Sequence, residues 1–557
     1  MEASASGRVQ RLRCGPGLRD PRRTLIAVLP AASSPSGPRR HAARRAHRAL
    51  SVQAAALLST AVLLLSACGG AEPVSSSATS PQRPTTSAPT VTGPTAPTTS
   101  EPDAAPAVAG IPDDWSPAPL AWHACDRPSI TECATLTVPL DWSDVDGATI
   151  DLALGRQRAL REPIGPLLMN PGGPGASGLE FLSYSPTSPE VRDRFDLVSW
   201  DPRGVGESTA VSCGTGSSEL FAQDPSPDDA AEVEALEGAA AALAGECAGD
   251  LALLEQIGTW NVARDMEAIR RALGSPPLNY LGFSYGTHIG QAYAELFPDR
   301  IRSMVLDGVV DPAQGFSEFL LGQTVAFDAA FERNVAACAA AGRATCGVDD
   351  LGAAYDQVMA MVETAPLGSG SRSVGPGELG TAAVATSYRS DGWTDLGPAL
   401  RDALDGDGSE LWRLAASYYD FGSYGAYAGV VCTDSAPPRG AAAFREFAAQ
   451  AEALSPRFGA GVANEMLPCA TWPAEPSGEP TAITAPGAPP ILVVGNTGDA
   501  ATPYDNAVIV ADRLTSGVLV TADIDGHTAY GSNRCVTRVV DDYLIRLVVP
   551  TSDPRCS

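Results

Sequence analysis

Ser284 stands in Gly282-Phe283-Ser284-Tyr285-Gly286, a Gly-x-Ser-x-Gly pattern that can build a nucleophile elbow. Such a turn lifts a hydroxyl out between a strand and a helix. Small residues two positions to either side let strand and helix pack closely, and the helix N-terminus adds positive potential. The pattern alone is common. The chain carries a near match at Phe421-Gly422-Ser423-Tyr424-Gly425, with Phe in place of the first Gly and no strand before it. The plain alternative for Ser284 is a serine in an ordinary tight turn. A strand-like run at 278–281 and a helical run at 288–297 argue against that.

A serine hydroxyl needs a base. Past the basic N-terminal stretch the chain has His123, His288 and His527. His123 neighbours Cys125 ahead of the core strands and reads as structural. His288 lies one helical turn beyond Ser284, out of line with the elbow hydroxyl, and reads as packing. His527, in Asp523-Ile-Asp525-Gly526-His527-Thr528, follows the last apolar strand, where a doubly wound sheet presents its functional residues. The base needs an orienting carboxylate. Asp499 follows the apolar run 491–494, and the order Ser284, Asp499, His527 is the Ser-acid-His order of such sheets. Asp307, ending the previous strand, and Asp525, beside the histidine, are the rivals. The developing oxyanion needs backbone donors. Tyr285 supplies one N–H. Gly173, in Gly172-Gly173-Pro174-Gly175, is the second candidate, since glycines let the backbone approach a substrate. This chemistry is acyl transfer without metal or cofactor.

The elements that must hold these residues follow from periodicity. Runs at 135–139, 149–154, 166–169, 196–200, 278–281, 301–306, 491–494 and 518–521 read as strands. Helical spacing appears at 261–273, at 288–297 and near 536–548. Alternation of strand and helix implies an α/β fold with a mostly parallel, doubly wound sheet. The alternation stops over 311–485, which is Ala-rich and helical. That stretch reads as a cap inserted before the acid-bearing strand, with core segments at 111–310 and 486–557.

The N-terminal part reads differently. Residues 1–38 look like a leader or overlong start. Residues 39–67 combine an arginine-rich segment with an apolar run too short to span a bilayer as a helix, as in a signal peptide. The run ends Leu65-Ser66-Ala67-Cys68-Gly69, which resembles a bacterial lipobox with Cys68 as the lipidated residue. The remainder of 68–110 is a Ser/Thr/Pro tether. The protein is therefore expected on the outer face of the cell membrane, lipid-anchored and open to shedding, and as a monomer. Ten further cysteines suit an exported chain. Nearest neighbours pair as Cys125 with Cys133, Cys213 with Cys247, Cys338 with Cys346, Cys432 with Cys469, and Cys535 with Cys556. Zinc spacing is missing from the set. The chain of 557 residues has a net charge of −27. Such acidity argues against nucleic acid or anionic lipid as a partner.

Taken together, several stretches resemble the secreted tripeptidyl aminopeptidases of the Streptomyces type, α/β-hydrolases related to proline iminopeptidases. They are Cys133-Ala-Thr-Leu-Thr-Val-Pro-Leu-Asp-Trp142, Asn170-Pro-Gly-Gly-Pro-Gly175, Asp201-Pro-Arg-Gly-Val-Gly206, Gly282-Phe-Ser-Tyr-Gly-Thr287, Val431-Cys-Thr-Asp434, Cys469-Ala-Thr-Trp-Pro473, Gly498-Asp-Ala-Ala-Thr-Pro503 and Gly526-His527. The resemblance implies the α/β-hydrolase fold and hydrolysis of peptides from a free N-terminus. It carries nucleophile, acid and base onto Ser284, Asp499 and His527. It also implies acidic cap groups for the substrate's α-ammonium, and Asp434 is the candidate. His288 departs from the pattern.

Two other readings compete. An esterase or lipase would use the same three residues, with the cap deciding the substrate. A solute-binding lipoprotein would share the lipobox but needs no Ser-acid-His set.

Overall fold

In a computed structural model, the described residues are 110–557 except 128, 215–216, 275–276 and 420–421. The leader, signal and tether expectations, Cys68 included, lie outside them.

The centre is a ten-stranded sheet. Its order is His123–Ala124, Glu132–Pro139, Thr149–Gln157, Phe195–Trp200, Gly165–Asn170, Leu278–Phe283, Ile301–Asp307, Ile491–Gly498, Gly517–Asp525 and Arg555–Cys556. The first three pairings are antiparallel, and every later one is parallel. The central strands are buried along most of their length, and Leu278–Phe283 at all six positions. This is the pattern of strands covered on both faces.

Two apolar layers provide that cover. On one face Leu167, Leu197, Leu281, Val305 and Leu492 pack with Leu179, Val191, Val536 and Val540. The last four come from helices Gly178–Ser183, Pro189–Arg194 and Arg534–Arg546. The other face packs on helices Thr259–Ala272 and Gly286–Leu296, whose buried positions recur at helical spacing. That second layer continues without a break into a helical insertion. The insertion leaves the sheet after Ile301–Asp307 and returns at Ile491–Gly498, and its longest helix is Phe316–Ala341.

An ion pair with no solvent exposure ties the early part together. The Arg203 guanidinium donates to both oxygens of Asp265 at 2.7 Å, and Trp142 Nε1 adds a third bond at 3.0 Å. It locks the Asp201-Pro202-Arg203-Gly204 turn to helix Thr259–Ala272. The structure forms five disulfides, the same five pairs as the nearest-neighbour reading. Among the described residues no helix is long and apolar enough to cross a membrane.

Candidate active site

The Leu278–Phe283 strand ends mid-sheet, and helix Gly286–Leu296 begins three residues later. Ser284 between them takes φ 52°, a conformation side chains other than glycine rarely adopt. The strain is held by specific bonds. Ser284 N–H donates to the Asp307 carbonyl at 2.9 Å, and the Thr287 hydroxyl donates to the Ser284 carbonyl at 2.6 Å. At Gly286 an added Cβ would lie 2.7 Å from the Asn170 carbonyl oxygen, so only glycine allows helix and neighbouring strand to meet.

His527 and Asp499 meet just past the ends of strands Ile491–Gly498 and Gly517–Asp525. Nδ1 of His527 is 2.9 and 3.0 Å from the two Asp499 oxygens. The Asp499 carboxylate also accepts from the Ala501 and Thr502 amides at 2.9 Å and the Thr502 hydroxyl at 3.0 Å. An ionised carboxylate only accepts, so Nδ1 carries the proton. Nε2 then bears the lone pair, and it has no hydrogen-bond partner among the described residues. Burial pulls the His527 pKa down, but the charge of Asp499 and its hydrogen bond outweigh this and hold it above the ordinary value.

The rival carboxylates have other partners. Asp307 is fully buried and accepts from the Ala529 amide at 3.1 Å and the Tyr530 amide at 2.7 Å. It thereby fixes the turn just after His527. Burial pushes Asp307 up to about 6, although these amides and His527 pull the other way. Asp525 forms an ion pair with Arg333 of the insertion. The Arg333 guanidinium also donates to the Gly498 carbonyl at 2.9 Å.

The insertion grips His527 from a second side. The His527 amide donates to the Tyr388 carbonyl at 2.9 Å, and the Tyr388 ring stands edge-on to the imidazole at 5.5 Å. Nothing in the sequence marked Tyr388, because its role depends on packing across 139 residues of chain.

Two cavities flank Ser284. The larger, about 660 Å³, is lined by Ser284, His527, Gly173, Tyr418, Tyr427 and Glu465, among others. The smaller, about 130 Å³, is lined by Ser284, Tyr285, His288, Trp260 and Asp434. Gly173 borders both, beside Ser284. Its neighbour Gly172 presses on the elbow: at φ +92°, an added Cβ would lie 2.6 Å from the Tyr285 amide nitrogen. The near-match serine at 423 has a different part. Its hydroxyl caps helix Tyr424–Asp434, and its amide donates to the Gly175 carbonyl at 3.3 Å. It latches the insertion to the glycine loop.

Asp434 sits under the smaller cavity with its oxygens engaged. They accept from the Thr259 amide at 2.8 and 3.0 Å and from the Tyr285 hydroxyl at 2.6 Å. It therefore positions the side chain of Tyr285. His288 faces this cavity and stacks edge-on with Tyr285 at 5.3 Å. Burial lowers its pKa below the ordinary imidazole value, against the opposing pull of Asp434 and Asp311. It belongs to the site wall as well as to the packing that the sequence suggested. No group of three or more His, Cys, Asp or Glu among the described residues is arranged to hold a metal.

The profile of TAP-like proteins matches residues 455–556, which include Asp499 and His527. Serine protease Hip1 of Mycobacterium tuberculosis is 34% identical over 475 residues, covering 80% of this chain and 91% of its own. Tripeptidyl aminopeptidase of Streptomyces coelicolor is 33% identical over 481 residues, covering 82% and 87%. The chain belongs to the tripeptidyl aminopeptidase family of α/β-hydrolases. Within this TAP-like family the names are not uniform, since Carboxylesterase B of Mycobacterium tuberculosis is 32% identical over 469 residues, covering 78% of this chain and 90% of its own.

Proposed function

We propose that the protein is an exported serine exopeptidase that hydrolyses peptides from a free N-terminus, as a tripeptidyl or related aminopeptidase. The observation that carries this is the Asp499–His527 pair at one cavity wall, with Nε2 unengaged and the strained Ser284 lining the same cavity. Ser284 Oγ attacks the scissile carbonyl carbon while His527 Nε2 takes its proton. The Tyr285 and Gly173 amides receive the oxyanion. His527 then protonates the leaving amine, the C–N bond breaks, and an acyl-enzyme remains. Water repeats the sequence and releases the N-terminal fragment. Asp499 keeps the imidazole in the productive tautomer. The helical insertion serves as the cap over this chamber.

A serine esterase is the second reading. It is favoured by the relative named Carboxylesterase B and by the aromatic lining of the larger cavity. Parallel turnover of tripeptidyl anilides and short acyl esters separates the two. Mass spectrometry of products from a peptide ladder should show N-terminal fragments of one preferred length, absent with Ser284→Ala. Full hydrolysis by that variant would refute the assignment. Five disulfides support an oxidising, extracellular setting. Anchoring through Cys68 is part of the same proposal.

A further inference from the structure

A third cavity, of about 650 Å³, lies between the segment 220–236 and the helical insertion, and neither Ser284 nor His527 lines it. Its volume is in the range of small-ligand sites, ~300–1,000 Å³. Helix Leu351–Thr364 lays a strip along it. Tyr355, Met359 and Glu363 recur at one-turn spacing, and all three line the cavity. The strip runs from a phenol through a thioether to a carboxylate over roughly 12 Å. Glu363 is exposed and Asp224 beside it is half-buried, so that end is open to solvent. Tyr355, at the other end, is 1% exposed.

Both ends are chemically incomplete. Asp224 and Glu363 hydrogen-bond to each other, so one of the two must hold a proton whenever that bond forms. Burial first, then like charges that include Asp228 and Glu232, push both carboxyls up. The Ser226 amide donates to Asp224 at 2.8 Å but brings no charge. Arg457 is the one basic residue lining the cavity among the described residues, and it is taken up by Asp356 and Glu332. At the closed end the Tyr355 ring is fixed edge-on to Phe331 at 5.2 Å and tilted on Phe458 at 6.1 Å. Its buried hydroxyl has no hydrogen-bond partner among the described residues. A buried hydroxyl left unpaired is destabilising, and a ligand group that meets it relieves the loss. Around it Arg457 is outnumbered by Asp356, Glu332 and Asp328, so this end too is net acidic.

We propose that this cavity binds a linear aliphatic polyamine, with one terminal ammonium between Asp224 and Glu363, its methylenes along Met359, and its other terminal nitrogen donating to the Tyr355 hydroxyl. The first ammonium displaces the shared proton and gives both carboxylates their missing counter-charge. The second end pairs the buried phenol. An extended spermidine measures roughly 11 Å between its terminal nitrogens, comparable to the strip. The claim stands apart from the exopeptidase reading, since the occupant has no peptide bond and Ser284 does not line its site.

The test titrates spermidine into the wild-type protein by isothermal calorimetry, once as purified and once with Ser284 capped by a sulfonyl fluoride. One molecule should bind per chain in both. The neutral 1,6-hexanediol should bind at least about tenfold more weakly. The double variant Asp224→Asn with Glu363→Gln should weaken spermidine roughly 10- to 100-fold, with native far-ultraviolet circular dichroism. Tyr355→Phe keeps the ring packing and should weaken it roughly three- to tenfold. No binding at millimolar spermidine, equal binding of the diol, or unchanged affinity in the double variant would overturn the proposal. Loss of binding on capping Ser284 would put the amine in the catalytic chamber and sink it equally. Unchanged affinity in Tyr355→Phe would remove the second end of the site. A protein that binds spermidine in this way but hydrolyses no peptide would count against the exopeptidase reading alone.

Discussion

At the scale of single residues, three carboxylates near the strand ends have three different tasks. Asp499 meets His527, Asp307 holds the following turn, and Asp525 pairs with Arg333. Sequence order favoured Asp499 for the base, and the structure brings those two together. In the proposed mechanism His527 acts when neutral, so kcat/KM should climb as pH rises through its pKa. Because Asp499 outweighs burial and raises that pKa, the midpoint should lie above the model-peptide value of 6.5. Asp499→Asn should lower kcat roughly 10³- to 10⁴-fold and move the acid limb downward, as a pH–rate profile would reveal. Gly172→Ala offers a second check on the elbow. Its Cβ would crowd the Tyr285 amide, so kcat should fall at least about tenfold while far-ultraviolet circular dichroism stays native.

Secondary structure was largely legible because its signals are local. The runs read as strands at 166–169, 196–200 and 278–281 became Gly165–Asn170, Phe195–Trp200 and Leu278–Phe283. Each carries its own apolar pattern and turn residues. The contacts between elements were not legible. Tyr388 on His527, Arg333 on Gly498 and Ser423 on Gly175 join segments far apart in sequence, and no period records such a meeting. The cluster Tyr418, Tyr419, Tyr424 and Tyr427 was the available clue to an aromatic chamber, whereas Glu465 had no local mark. The Arg203–Asp265 pair makes an element-level prediction. Arg203→Ala would strand a buried carboxylate, costing about 3–5 kcal/mol in denaturant unfolding. Arg203→Met with Asp265→Leu should recover much of that loss, since replacing both charges removes the uncompensated one.

At the scale of the whole molecule, five disulfides tie the described residues together. Cys432–Cys469 spans 37 residues of the insertion, and both sulfurs are buried. Replacing both cysteines by alanine should cost about 2–5 kcal/mol and lower Tm in a thermal melt. The N-terminal proposal has its own check. Cys68→Ala expressed in an actinobacterial host should move activity from the membrane pellet to the culture medium, and an unchanged distribution would count against lipidation.

The hold of Tyr388 on His527 has an engineering consequence. Exchanging the insertion with that of a relative is one route to an altered specificity. Here the exchanged piece would carry away the carbonyl that anchors the histidine loop and the ring that flanks it. A chimera would therefore disturb the support of His527 at the same time as it changes the selectivity. Grafts that retain residues 385–392 from this chain should keep turnover; those that replace them should lose it even toward small esters.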